Sequence, residues 1–237
     1  MIEAARSPMF IRVFDKYNAW LIKRHFKKVY VSRSSVPLPD KPSILIVNHS
    51  SWWDPLFLFY YNERLWKRNS LAMMDEEGLN RYPFFAKLGA FSIGKRARSI
   101  HTSLQYAEQQ LRNGNDIFLF PQGGENPLEE PFSFFTGAGH LKHAVPEAPV
   151  VPVCFYHGFR HHQLPEWSMI TGNPVHGAPS WNRRRWTDEM EQSMEETRST
   201  LRREWNGSEK PFTIVTKGRA GIGESWENLK RRTGRLT

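Results

Sequence analysis

The chain of 237 residues has one cysteine, Cys154, set inside the apolar run VVPVCFY. A single thiol excludes an intrachain disulfide framework, no Cys-based metal site is visible, and the apolar setting marks Cys154 as a buried structural residue. No stretch approaches the roughly 18 consecutive apolar residues of a membrane span. The longest runs are ILIV, PLFLFYY and VVPVCFY. The N-terminus lacks the charged, apolar, then small-residue order of a signal peptide, so the expectation is a soluble or peripheral intracellular protein. Internal repeats and low-complexity segments are absent. There is no Gly-x-Ser-x-Gly elbow, and Ser50 and Ser51 are poor candidates for a covalent nucleophile. GRAGIGES, near the C-terminus, follows no clear βαβ pattern and does not read as a dinucleotide loop.

Acidic residues are in deficit: 24 Asp+Glu stand against 33 Lys+Arg, for a net charge of +9. Such a surface favours polyanions, whether nucleic acid, anionic lipid or phosphate-rich substrate. Aromatic residues reach 14%, with nine tryptophans. Indoles among basic side chains suit a lipid–water interface, and base stacking uses the same ingredients. At 39% hydrophobic residues, the chain is long enough to bury one sizeable core.

The opening stretch, PMFIRVFDKYNAWLIKRHFKKVYV, places Phe10, Val13, Phe14, Tyr17, Trp20 and Leu21 on one helical face. Seven Lys/Arg against two acids through residue 30 make this a basic amphipathic segment. It can lie in a membrane interface or pack on the domain. A Pro-rich connector follows, then a strand (residues 43–47), a His/Asp loop and a helix from Pro55, for which Asp54 is the expected N-cap. LAMM reads as a weak strand. A short helix and a strand at 91–93 lead to a helix with Ser99 as cap and Gly114 as stop. Strands follow at DIFLF, VVPVCFY and SMITGNP. An amphipathic helix over 188–205 carries Met190, Met194, Thr197, Leu201 and Trp205 in register, with Asp188 as cap. Strands alternating with helices indicate an α/β fold: one layered domain with a mainly parallel central sheet flanked by helices, plus the N-terminal amphipathic basic helix. The segmentation is 1–36 for membrane docking, 37–216 for the α/β domain and 217–237 for a basic tail. Sites in such sheets gather at the carboxyl ends of strands.

Three loops occupy such positions. After Val47 comes NHSSWWD. His49 is a candidate general base, and Asp54 a candidate to fix its tautomer. Five residues apart on a continuous helix they would diverge by about 140°, so the chain must bend for them to meet. Taken alone, His-x-x-x-x-Asp more commonly marks a helix cap beside an unrelated histidine. After Ile93, Lys95 and Arg96 precede a helix N-terminus, as a phosphate cradle or as a solvated basic turn. After Phe120, Pro121, Gln122, Gly123 and Gly124 form a tight turn whose backbone N–H groups can approach a ligand. His157, His161 and His162 lack partners at convincing metal-ligand spacing.

The order of these blocks resembles the glycerolipid (1-acylglycerol-3-phosphate) acyltransferase family. That family carries Asn-His-x-x-x-x-Asp, a Gly-x-Phe-x-Ile-x-Arg-like block, Phe-Pro-Glu-Gly and a Val-Pro strand. Here they read Asn48–Asp54, Gly89–Arg96, Phe120–Gly123 and Val150–Val153. FFTGAGHL is similar to the family's helix lead-in to the last block. The resemblance implies transfer of a fatty acyl group from a coenzyme A or acyl-carrier-protein thioester to a hydroxyl of a lysophospholipid-like acceptor. His49 would be the general base and Asp54 its orienting acid. Lys95, Arg96, Pro121, Gln122, Gly123 and Gly124 would bind substrate, with Gly123 and Gly124 offering N–H groups to the oxyanion. Trp52 and Trp53 would wall the acyl channel or belong to the core. No metal and no cofactor beyond the thioester are implied. The partners implied are the acyl donor, a lipid-like acceptor, acyl carrier protein as alternative carrier and an anionic membrane surface at the cytoplasmic face, with no nucleic acid. Two residues depart from the pattern: Gln122 replaces the usual Glu, and Lys95 aligns with the usual Arg. They leave open another acceptor alcohol, such as glycerol-3-phosphate, a glycolipid or a glycosylated isoprenoid. A non-enzymatic basic lipid- or nucleic-acid-binding protein is the rival from another class.

Overall fold

The computed structural model describes residues 1–207 and 211–232. One eight-stranded sheet runs through it. Its strands are β1 (Lys28–Ser32), β2 (Ile44–Val47), β3 (Ser70–Asp75), β4 (Ala90–Ile93), β5 (Asp116–Leu119), β6 (Val150–Gly158), β7 (Glu166–Thr171) and β8 (Phe212–Lys217). The spatial order is β4-β3-β5-β2-β6-β7-β1-β8. Pairing is parallel from β4 through β6 and again between β7 and β1; β6/β7 and β1/β8 are antiparallel. The expected α/β fold with a mainly parallel sheet is therefore the observed one.

Strand β2 shows why. All four of its residues are apolar and buried, as a parallel strand covered on both faces requires. Ile44 and Ile46 join a core with Leu104 and Leu111 of α5 (Ala97–Arg112), Leu141 of α6 (Gly137–Ala144) and Met190, Met194 and Leu201 of α7 (Arg183–Asn206). Leu45 and Val47 join the opposite core with Ile22 of α1 (Pro8–His25) and Phe57 and Tyr61 of α2 (Asp54–Tyr61). Burial alternates with the two-residue period of the strand. Buried Asn18 of α1 donates from Nδ2 to the Leu56 carbonyl at 2.9 Å, tying α1 to the first turn of α2. Short helices α3 (Glu76–Arg81) and α4 (Phe84–Leu88) complete the β3–β4 connection.

Several boundaries differ from the sequence reading. The basic opening segment is helical only to His25. Val29 and Tyr30 are buried on opposite faces, so this stretch is strand β1, between β7 and β8 in the same sheet. The period changes from helical to extended where Phe26 and Lys27 turn the chain. On α1, Phe14, Asn18 and Ile22 face inward, while Met9, Val13, Tyr17 and Trp20 stand outward. Helix α5 begins at Ala97 with Arg96 at its cap and no side-chain cap bond, so Ser99 lies inside the helix. Helix α7 begins five residues before Asp188, capped by Asn182, whose side chain accepts from the Arg185 N–H. Beyond Lys217, residues 222–232 form helix α8. Gly218 and Arg219 donate their N–H groups to the Lys27 and Lys23 carbonyls, both at 2.9 Å. Among the described residues, no helix is long and apolar enough to cross a membrane.

Candidate active site

Strands β4, β3, β5, β2 and β6 end on the same side of the molecule, so their following loops gather there. Asn48, the first residue after β2, copies a peptide group. Its Nδ2 donates to the Phe155 carbonyl at 3.1 Å, and its Oδ1 accepts from the Phe155 N–H at 2.7 Å. The ladder to β6 is thus extended by a side chain, and the backbone is free to turn.

It turns at His49, whose Nδ1 lies 2.8 Å from Asp54 Oδ2. Asp54 is fully buried, and the His49 ring keeps 18% exposure. The ring also packs on Phe120, centroids 4.6 Å apart. Asp54 works differently from the expected N-cap. Helix α2 has no side-chain cap bond at its start. Instead Asp54 Oδ2 accepts the N–H groups of Ser50 at 2.6 Å and Ser51 at 2.8 Å, in the loop before the helix. One oxygen thus serves three donors, while the buried Oδ1 has none. The carboxylate folds the loop back on itself, which is how two side chains five residues apart come to meet. Charge-assisted bonds of this kind are about twice as strong as neutral ones.

Gln122 lies beside His49 because β5 and β2 are adjacent and parallel. Its Oε1 accepts the His49 backbone N–H at 2.8 Å. An N–H can only donate, so the amide orientation is fixed and the NH2 group points elsewhere. Asn126 donates its N–H to the His49 carbonyl at 2.9 Å. The loop after β5 therefore grips both peptide groups of the histidine. Gly123 has a φ of 74°, suited to glycine, and a Cβ there would meet the Phe135 ring at 2.5 Å. Its N–H donates to the Phe120 carbonyl at 3.0 Å and is spent in the turn. The Gly124 N–H has no partner among the described residues. Pro121 is buried beneath the turn, and its carbonyl accepts from the Phe135 N–H at 2.9 Å.

The rest of this loop is latched from α7. Buried Arg198 donates to the Leu128 and Glu130 carbonyls at 2.7 and 2.6 Å and lies over the Phe132 ring. Glu191 accepts the Phe134 N–H at 2.6 Å. Tyr156, at the end of β6, donates to Glu129; burial and that carboxylate push its pKa up to about 12.

Lys95 and Arg96 are not part of this contact set. They follow edge strand β4, three strands from β2, or about 14 Å at the usual strand spacing. Both are exposed, and Lys95 pairs with Glu77 at 2.6 Å. The two indoles divide: Trp53 packs on Phe26 with ring centroids 4.9 Å apart, whereas Trp52 is 59% exposed. Burial drives the Cys154 thiol far above its ordinary pKa, leaving it un-ionised.

Two residues belong to this centre that sequence reasoning did not place there. Asn48 stood in the motif without a role. His157 was weighed only as a metal ligand, yet its Nε2 lies 3.2 Å from Ser50 Oγ. His157 lies near the end of β6, the strand beside β2, an adjacency that residue order alone does not give. Among the described residues, no three His, Cys, Asp or Glu side chains group as a metal site would require.

Comparison with known proteins bears on the family and the fold. A probable 1-acyl-sn-glycerol-3-phosphate acyltransferase of Mycoplasma genitalium is 28% identical over 149 residues, 61% of this chain and 54% of that protein. The chain thus spans about half the length of that curated relative. The crystal structure of the 1-acyl-sn-glycerophosphate (LPA) acyltransferase PlsC from Thermotoga maritima has the same fold, with a TM-score of 0.53 at 19% identity over 78% of each chain. The family model described as Acyltransferase matches residues 25–156, more than half of the chain, a span that includes His49, Asp54 and Gln122; the protein belongs to the Acyltransferase family.

Proposed function

We propose that the protein moves a fatty acyl group from a coenzyme A or acyl-carrier-protein thioester to a hydroxyl of a lysophospholipid-like acceptor. The observation that carries this reading is the His49–Asp54 contact, within a chain that belongs to an acyltransferase family. With Nδ1 committed to Asp54, the partly exposed ring offers Nε2 to the acceptor hydroxyl. As the hydroxyl oxygen attacks the thioester carbonyl, His49 takes its proton, and the imidazolium is held against buried Asp54. Collapse of the tetrahedral intermediate breaks the C–S bond, and the proton passes to the leaving sulfur. The Gly124 N–H is the open donor of the turn for the oxyanion. The thioester supplies the activation, so direct transfer requires no metal or further cofactor.

Lys95 and Arg96 take a phosphate at the rim. An ion pair as exposed as Lys95–Glu77 is readily exchanged for such a ligand. The outward stripe of α1, Met9, Val13, Tyr17 and Trp20, docks the protein on an anionic membrane, where the acceptor resides, with Arg12, Lys16 and Lys23 near lipid phosphates. Gln122 favours a second reading of the acceptor. Its carbonyl is spent on His49, so it presents an N–H donor where a Glu would present charge. An acceptor alcohol carrying lone pairs or an anionic oxygen at that point, including glycerol-3-phosphate or a glycolipid, fits that donor.

The deciding experiment incubates purified protein with labelled acyl-CoA and acyl-carrier-protein thioesters against a panel of lysolipids, glycerol-3-phosphate and glycolipids, read by mass spectrometry. An acylated product that is lost in the His49→Ala protein is the expected result. Absence of transfer with every pair would end the reading.

A further inference from the structure

The strand β6 terminus holds a histidine that the transfer mechanism above does not use. His157 sits flat on Trp167, ring centroids 4.4 Å apart and planes 8° from parallel. Trp167 in turn lies flat on Phe57, at 4.0 Å and 9°. The three rings form one stack, with Trp167 in the middle and fully buried. Phe57 is on α2, one turn beyond Asp54. From the other end of the stack, His157 Nε2 meets Ser50 Oγ at 3.2 Å, and the Ser50 N–H meets Asp54 Oδ2 at 2.6 Å. The contacts close a circuit: Asp54, along the helix to Phe57, through Trp167 to His157, across to Ser50 and back to Asp54.

We infer that His157 is a positioning residue of the transfer centre, holding Ser50, and through it the 49–51 loop, in the shape that lets Asp54 meet His49. The inference rests on the acyltransferase reading for its consequence in turnover, but not for the contact itself. The loop needs such a hold. Its anchors to Asp54 converge on one oxygen, and the His157 bond adds an independent anchor on the Ser50 side chain. The stack on Trp167 fixes the plane of the His157 ring, so the bond at its edge holds the Ser50 side chain in one place. Burial pushes the His157 pKa below its ordinary value, with the Asp54 charge opposing in part. The ring is therefore neutral at neutral pH and does not compete with the His49 imidazolium for Asp54.

Three variants test this: His157→Phe keeps the stack and loses the bond, His157→Gln can restore the bond, and Ser50→Ala removes it from the other side. We expect His157→Phe and Ser50→Ala to lower kcat about ten-fold with KM for donor and acceptor within two-fold, and His157→Gln to recover most of the loss. The double variant His157→Phe/Ser50→Ala should be no worse than either single one, because both cut the same link. Amide exchange at Ser50 should quicken in His157→Phe and not in His157→Gln. A wild-type kcat together with unchanged Ser50 exchange in His157→Phe would overturn the proposal, as would losses that multiply in the double variant. If the wild-type protein transfers no acyl group to any acceptor, the functional reading fails and the exchange data alone decide the positioning role. If His157→Phe does not fold, Ser50→Ala and His157→Gln carry the same comparison.

Discussion

The ends of β2 and β4 lie on the same side of one sheet, and both carry residues suited to a lipid substrate, yet they are built in opposite ways. At β2, in the middle of the sheet, the turn is held by a dense set of bonds: Asn48 to Phe155, His49 to Asp54, Gln122 and Asn126, Ser50 to Asp54 and His157. At β4, on the edge, Lys95 and Arg96 stand in solvent, and Lys95 pairs with an equally exposed Glu77. The proposed proton transfer demands close placement, and a loop in the centre of the sheet has neighbours on both sides to hold it. Holding a phosphate demands only charge and reach, and an edge suffices. A mutation should therefore be costly in turnover at one end and mild, salt-dependent and confined to binding at the other.

The largest effect is expected from His49→Ala: a fall in kcat of about 10³-fold or more in a protein that still folds, measured by initial rates and calorimetry. Appreciable residual turnover would move the chemistry away from β2. Asp54→Asn comes next, with a loss of about 10²-fold or more. It should also lower stability by about 1–3 kcal/mol in denaturant unfolding, because the Ser50 and Ser51 N–H groups lose their charged acceptor. Loss of stability with full turnover would make Asp54 a purely architectural residue. Gln122→Glu should keep the His49 N–H satisfied while placing a negative charge beside the ring. That charge favours imidazolium, so the acidic limb of the kcat/KM profile should move to higher pH by about 0.5–1 unit. Lys95→Ala is the mildest of the activity changes: KM for a phosphate-bearing acceptor should rise by about three-fold, and the difference should fade at high salt. A change in kcat instead would erase the contrast between centre and edge. The smallest effect concerns stability and pH. His157 is protonated less readily in the folded protein than in the unfolded chain. Acidification through and below about pH 6.5 therefore favours unfolding. His157→Phe should flatten that decline, by a few degrees in Tm at most.

Much of this contrast could be read from residue order. Strands buried on both faces show as short unbroken apolar runs, which is why ILIV and VVPVCFY read as strands; PLFLFYY, led by Asp-Pro, is a helix instead. The three loops could be assigned to one end because α/β topology leaves little choice. Strand β1 was hidden, since KVYV continues a basic aromatic pattern whose helical period breaks at only two residues. The caps at Ser99 and Asp188 were misplaced because both helices start earlier, where Arg96 and Asn182 take the position. The His49–Asp54 pairing was visible as a spacing. That one oxygen would carry three donors, that Gln122 would spend its carbonyl on a backbone N–H, and that His157 would reach Ser50 were not visible. Each depends on which strands lie side by side.

The place of β1 has a consequence for how the chain comes into being. Made second among the elements, it pairs with residues 166–171 on one side and 212–217 on the other. During synthesis it therefore waits, without either neighbour, while most of the polypeptide leaves the ribosome. The parallel core around β2 can assemble from residues 44–158, but the far half of the sheet closes late and over long sequence distances, the slow kind of contact to form. Until then Val29 and Tyr30 are apolar surface, and nascent chains halted before β8 should need a chaperone more than the finished protein does.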